Sequence, residues 1–444
     1  MVLLNLDDID EPLPLPLFQG RLFDGKVFNG IGNFIVDIYN GGIKKIIRSE
    51  KNDGILEFPE SMLILPGGIY FHCHGREVFD ILPEEEGDQT YKEDSYSLSL
   101  ALAQGGATHG VCMPNLSRFI EDEESYAKQL EWINSKHNHR RKPIMPLSMY
   151  ALIRPNSHPR IKKAIWKVLW NTFGPTNFDN DEQVIPTLEN YIGQFKTVHC
   201  ETISGIVKDN KLPWHEQRPK KAGLDAVKMM CDFSLKYNSR VNIAHISSWE
   251  EMDMVNTYKA RGAPLSFELT PQAITLNYDT FESQTGYPIV YLRQNPPIRD
   301  INNMLEMRKR MKKTDILAGD HAPHTINEKE NGISGMPQAS TEGQLYLERV
   351  STRDISLKDY IEKRCHTPGK ILEDNLGQKV GRIKEGYEAS FAIVSMGKTS
   401  RIRNNEVLSK CAWTPYNKYL FLNTIEGVVI RGVLYTQKAL QKLK

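Results

Sequence analysis

An α/β architecture, a (β/α)8 TIM barrel with a small β-sandwich formed by both chain ends, is what the sequence predicts, on three observations. Between residue 66 and about residue 370, short apolar runs alternate with stretches of helical periodicity, the pattern of βα units around a parallel sheet. Eight such runs can be counted. Both flanks carry short β-type runs punctuated by glycine instead, a texture that suits a separate sheet. The expected division is residues 1–65 and 371–444 as the two parts of the sandwich, and 66–370 as the barrel.

In chain order the predicted strands are "GGIYFH", "THGVCMP", "PIMPLSMYALI", "AIWKVLW", "FKTVHC", "RVNIAHIS", "PLSFELT" and "DILAGD". Amphipathic segments such as "ESYAKQLEWINSKH", "GLDAVKMMCDFSLKYN" and "WEEMDMVNTYKARG" fall between them. In a barrel of this kind the C-terminal ends of the strands face the active site. The flanking runs are "GRLFDGKVFNGIGNFIVDIYNGGIKKII" before the barrel, and "GRIKEGYEASFAIV" with "TIEGVVIRGVLYTQ" after it. Neither solenoid-period repeats nor low-complexity linkers occur.

A chain of 444 residues is long enough for a large core and an accessory domain. Its 55 acidic and 56 basic residues nearly cancel, which gives no electrostatic reason to expect nucleic acid or anionic lipid as partner. A small molecule is the expected partner. Six cysteines are scattered without CxxC pairs, as in a protein of a reducing compartment. The N-terminal stretch is acidic where a signal peptide would be basic, and no apolar run is long enough to span a bilayer. A cytoplasmic location with no membrane association is therefore expected.

"GGIYFHCHGRE" carries the first chemical signal. Strand side chains alternate between faces, so His72 and His74 project the same way where the first strand ends. An HxH pair alone is more often a partly buried polar pair than a metal site. However, the fifth strand ends in His199, the sixth in His245 and the eighth in Asp320. Imidazole and carboxylate are the ligands of a catalytic divalent site, with zinc the default and other divalent metals chemically tolerable. Core histidines satisfied by backbone would account for one such position but not for all of them.

The segments "PGGIYFHCHGRE", "VCMPN", "TVHCE", "NIAHISS", "FELTP", "QNPPIR", "DHAPHT.NEKE" and "WTPY" follow one another along nearly the whole chain. In this order they resemble the dihydroorotases of the amidohydrolase superfamily. The resemblance implies a two-zinc site, in which His72, His74 and Asp320 hold one metal and His199 and His245 the second. It implies further that a carbamylated lysine bridges the two; the candidate is Lys167. "AIWKVLWNTF" can be aligned with the family's lysine strand in two frames, one of which puts Trp166 there. Alternation sets Ile165, Lys167 and Leu169 on one face and Ala164, Trp166 and Val168 on the other. Some relatives replace this lysine, and a solvated strand-end lysine is the plain alternative.

The same resemblance assigns the substrate carboxylate to Arg76, Asn115 and His324, and a further substrate contact to Asn295. A planar guanidinium suits a carboxylate. The implied reaction is reversible closure of N-carbamoyl-L-aspartate to L-dihydroorotate, with loss of water, in de novo pyrimidine (UMP) biosynthesis. In the hydrolytic direction Asp320 acts as general base and then general acid. A homodimer and association with aspartate transcarbamoylase are also expectations of the resemblance.

Some positions depart from the family pattern. Tyr70 and Phe71 replace Asp and Pro, Gly75 replaces Leu, Gln272 and Ala273 stand where histidines often sit, and "GISGMP" stands for "GFPGLE". The segment "HAPHTINEKENGISGMP" reads as a cover over the mouth or as an ordinary long loop, and His215 in "KLPWHEQRPKKAG" reads as structural. Two other functions compete: another cyclic amidohydrolase of the allantoinase or hydantoinase type, and a catalytically silent assembly subunit. All five expected His and Asp positions are present, which weighs against the last.

Overall fold

The computed structural model describes residues 2–25, 32–48, 56–120, 122–136, 141–171 and 178–444. Residues 26–31 of the first flanking run, and the last residue of "ESYAKQLEWINSKH", lie outside the described residues.

Each of the eight predicted runs contains a strand. These are β1 Gly68–Cys73, β2 Ala107–Cys112, β3 in two pieces (Leu147–Met149 and Ala151–Ile153), β4 Trp166–Leu169, β5 Lys196–His199, β6 Val241–Ile243, β7 Leu265–Leu269 and β8 Ile316–Leu317. All their pairings are parallel. The first piece of β3 joins β2 and β1 in a three-stranded sheet, and the second piece begins a six-stranded sheet that runs in order to β8. At the outer edges Cys73 forms a parallel bridge with His321, and His74 N donates to His321 O at 2.8 Å. The two pieces of β3 meet at Tyr150, whose N donates to Cys112 O at 2.9 Å.

Nearly every residue of these strands is buried, as expected when both faces of a parallel sheet are covered. The three amphipathic segments form helices Glu123–Asn134, Lys220–Tyr237 and Trp249–Ala260. Asp122 and Ser248 cap the first and third through capping boxes, satisfying backbone donors that the helix leaves free. Asn238, in the left-handed region at φ 49°, ends the second.

Both chain ends share one ten-stranded sheet. Leu63–Pro66 pairs antiparallel with Phe391–Arg401, which pairs with Leu420–Ile430 and, through it, Val433–Thr436. Strands Leu17–Leu22, Gly32–Tyr39 and Gly42–Arg48 extend the other side. Phe18 packs edge-on against Phe58 and Phe391, with ring centroids 5.4 and 5.6 Å apart, at the centre of this sheet's own core.

Two close approaches constrain the sequence. A Cβ on residue 319 would lie 1.8 Å from the Tyr70 hydroxyl, so Tyr70 on β1 requires glycine just past β8. Tyr70 thus fills with an aromatic ring the space beneath the strand that carries Asp320. At the other end of β1, a Cβ on Gly68 would lie 2.0 Å from the Arg364 guanidinium. Arg364 is buried against Glu342 and donates to the carbonyls of Gly105 and Gly106. Removing one member of a buried pair strands the other's charge, a cost of about 3–5 kcal/mol. Arg364→Met is expected to destabilise the fold by that order in chemical denaturation, and a midpoint equal to the wild type's would show that Glu342 finds other donors.

Candidate metal centre

The strand ends and the loops after them bring every candidate ligand and substrate-binding residue of the sequence to one place. His72, His74, Arg76, Asn115, Lys167, His199, His245, Asn295, Asp320 and His324 all line a cavity of about 330 Å³. A register irregularity falls between Tyr70 and Cys73, where apolar Ile69 and Phe71 give way to the histidines. On β4 Lys167 lines the cavity while Trp166 packs against Tyr191, ring centroids 4.9 Å apart. Lys167 is almost completely buried, not solvated. His245 and Asp320 adopt positive φ, 30° and 55°, a conformation that side chains other than glycine hold where surrounding structure enforces it.

Two ligand groups emerge. His72 Nε2 and His74 Nε2 lie 3.5 and 3.3 Å from Asp320 Oδ1. His199 Nδ1 lies 3.2 Å from His245 Nε2. Ligands about 2.0–2.1 Å from a tetrahedral zinc are separated from one another by roughly 3.3 Å, so these spacings would suit an ion, and His72, His74 and Asp320 form a group that could hold one. The two groups adjoin, since the His72 and His245 ring centroids are 5.0 Å apart.

The far nitrogens of three of the four imidazoles are also engaged. His72 Nδ1 donates to Glu268 Oε2 at 2.8 Å, His74 Nδ1 to Asn115 Oδ1 at 2.7 Å, and His199 Nε2 to Glu201 Oε2 at 2.9 Å. Each contact leaves the cavity-side nitrogen as the lone-pair donor a cation needs. His245 Nδ1 and Lys167 Nζ are buried without a hydrogen-bond partner. Arg218 braces the outer carboxylate, its Nη2 lying 2.7 Å from Glu201 Oε2.

Electrostatics favour ligand protonation states. Burial lowers the pKa of all four imidazoles, His72 and His245 most strongly, and neighbouring histidines or cations add to the shift. Neutral imidazole is the form that binds metal. Burial alone would raise the Asp320 carboxyl. The close approach of His74, with His72 and Lys167 beside it, outweighs burial and holds Asp320 below the usual range. Burial pulls the Lys167 amine down, against Glu268 and Asp320, while burial raises Glu268 against Lys167.

A second cluster lies at the rim. Arg76 Nη2 donates to His324 Nε2 at 3.2 Å, and His324 Nδ1 faces Glu328 Oε2 at 3.4 Å. Lys92, buried beside them, pairs with Glu328 at 2.7 Å. Burial, with help from Arg76 and Lys92, pushes the His324 pKa down to about 3. Asn295 Oδ1 is buried without a partner. Helix Ile326–Glu330 stands within the segment read as a cover or loop, and its Lys329 donates to the carbonyls of Arg293 and Ile333 at 2.8 and 2.7 Å. His215 stacks on Tyr278, centroids 3.9 Å apart, and is not among the residues lining the cavity.

Sequence reasoning passed over Glu268, Glu201 and Lys92. Glu201 stands two residues past His199 in "HCE", the same spacing as the HxH pair, a signal that was available. Glu268 touches His72 across 196 positions of chain, and no local pattern announces such a contact.

No family model matches the chain. Curated sequences do: a dihydroorotase of Pyrococcus abyssi is 27% identical over 426 residues, covering 94% of this chain and 92% of that protein. A dihydroorotase of Pyrococcus furiosus is 28% identical over 421 residues, covering 94% and 91%. The chain is a relative of the dihydroorotases. Among solved structures, the L-hydantoinase (dihydropyrimidinase) of Arthrobacter aurescens superposes with a TM-score of 0.82 at 16% identity, covering 96% of this chain and 97% of that one. The dihydropyrimidinase of Brevibacillus agri gives 0.79 at 16%, covering 95% of each. These structures share its fold. The dihydroorotase relatives and the His–Asp group together place the chain among metal-dependent cyclic amidohydrolases. Among the described residues no helix is long and apolar enough to cross a membrane.

Proposed function

We propose that the chain is a dihydroorotase, interconverting N-carbamoyl-L-aspartate and L-dihydroorotate in pyrimidine biosynthesis. The observation that carries this reading is the pairing, in one cavity, of two metal-spaced ligand groups with an arginine–histidine cluster suited to a carboxylate. In this reading the two parallel sheets are arcs of one eight-stranded barrel over residues 66–370, and residues 1–65 and 371–444 form the sandwich. His72, His74 and Asp320 would hold one zinc, His199 and His245 a second, and Lys167, carbamylated, would complete the ligand set. The unpartnered Lys167 amine fits that assignment. A cytoplasmic location, a homodimer and contact with aspartate transcarbamoylase belong to the same reading.

Divalent metal, when bound, polarises the amide carbonyl and lowers the pKa of water to about 7. The chain's own groups do the rest. Arg76 and His324 take the substrate carboxylate, with Asn115 steadying His74 at the edge of that cradle. Asn295 offers its unpartnered carbonyl oxygen to a ring N–H. Asp320, held ionised, takes the proton of the attacking water and returns it to the departing ring nitrogen. Ring closure runs through the same groups in reverse.

The likeness to hydantoinase structures favours one alternative, a related ring as substrate. A panel decides: purified, zinc-loaded protein is expected to open L-dihydroorotate and to leave hydantoins and allantoin intact. Turnover of hydantoin or allantoin alone would replace the reading, and no turnover of any ring with metal bound would favour a silent subunit.

A further inference from the structure

The residue after Asp320 uses its polar atoms on three different segments. His321 is fully buried and its carbonyl accepts from His74 N at 2.8 Å. Its Nδ1 accepts from Gln338 N and Ala339 N, at 3.0 and 3.2 Å. Two N–H groups aimed at one ring nitrogen leave the ring proton on the other, so Nε2 donates to Glu93 Oε2 at 3.2 Å. Glu93, equally buried, also accepts from Ser97 Oγ, Ser409 Oγ and Lys410 N. Neither His321 nor Glu93 is among the residues lining the cavity. A carboxylate so deeply buried is tolerated only when its lone pairs are filled, and here the filling donors come from His321 on one side and the 409–410 segment on the other.

We infer that the Glu93–His321 pair positions Asp320, locking the 320–321 peptide between the His74 backbone and the 409–410 segment. The lock keeps Asp320 Oδ1 at 3.3 Å from His74 Nε2 and holds the left-handed backbone in place. Glu93 and His321 are positioning residues: they act on the reaction through Asp320. The inference rests on the reading of Asp320 as ligand and proton-transfer group.

The test uses the full chain loaded with Co2+, comparing wild type with Glu93→Gln and His321→Asn. The first keeps the side chain's shape but puts an amide nitrogen where an oxygen accepted. The second keeps an acceptor near the Nδ1 position and removes the donor to Glu93. Both are expected to lower kcat for dihydroorotate and Co2+ affinity by about 10–100-fold, the usual loss for partners that orient metal ligands. KM should stay unchanged and the visible Co2+ absorption should shift. Wild-type kcat, Co2+ affinity and absorption in both variants would overturn the inference, even if the thermal midpoint of the metal-free protein fell. Should Glu93→Gln fail to fold, Ser409→Ala removes a single hydroxyl donor and should give a smaller loss in the same direction; no change there overturns the inference too. If the wild type shows no turnover of dihydroorotate, the proposed function has failed, while Co2+ affinity and absorption still decide the role of the pair.

Discussion

Asp320→Ala should lower dihydroorotate hydrolysis by about 10²- to 10⁴-fold, the range for loss of a positioned proton-transfer group. The expectation follows from geometry and charge together. Asp320 Oδ1 lies 3.3 and 3.5 Å from two imidazole nitrogens, and these neighbours together with Lys167 hold the carboxyl below its usual range despite burial. A methyl group at this place can neither bind a cation nor carry a proton. Steady-state kcat, read beside metal content and circular dichroism, checks the outcome. Turnover equal to the wild type's, with metal still bound, would remove Asp320 from the reaction.

Lys167→Ala should cost turnover at least about a hundredfold, since partners that merely orient ligands already cost 10–100-fold. The Lys167 amine is buried in the cavity wall, without a hydrogen-bond partner, and burial lowers its pKa. Such an amine spends more time neutral than an exposed one, and only a neutral amine adds carbon dioxide. The truncated site should hold less zinc by elemental analysis, and short carboxylic acids such as acetate or propionate, entering the vacated space, should restore part of the rate. Full zinc content and wild-type turnover in Lys167→Ala would mean that the amine is a buried structural group and no ligand.

Strand periodicity made most of the scaffold legible. Eight short apolar runs alternated with helical stretches, and each contains a parallel strand. Alternation also resolved Lys167 against Trp166: the lysine faces the cavity and the indole packs against Tyr191. Invisible in the sequence were contacts made only when distant segments fold together. Glu268 beneath His72 and Glu93 beneath His321 are carboxylates that read locally as ordinary polar positions. Tyr70 is the instructive departure. Read alone it is a missing aspartate, but in three dimensions its ring fits only because residue 319 lacks a side chain, a pairing of two positions that neither stretch reveals by itself.

The antiparallel pairing of Leu63–Pro66 with Phe391–Arg401 has a consequence for synthesis. On the ribosome the early strands emerge with an apolar edge whose central partner is translated only after the whole catalytic portion. Unpaired edges of this kind invite association with other chains, and distant pairings form slowly. Nascent chains stalled before residue 391 should therefore recruit chaperones through their N-terminal strands, and release should follow once the C-terminal hairpin arrives.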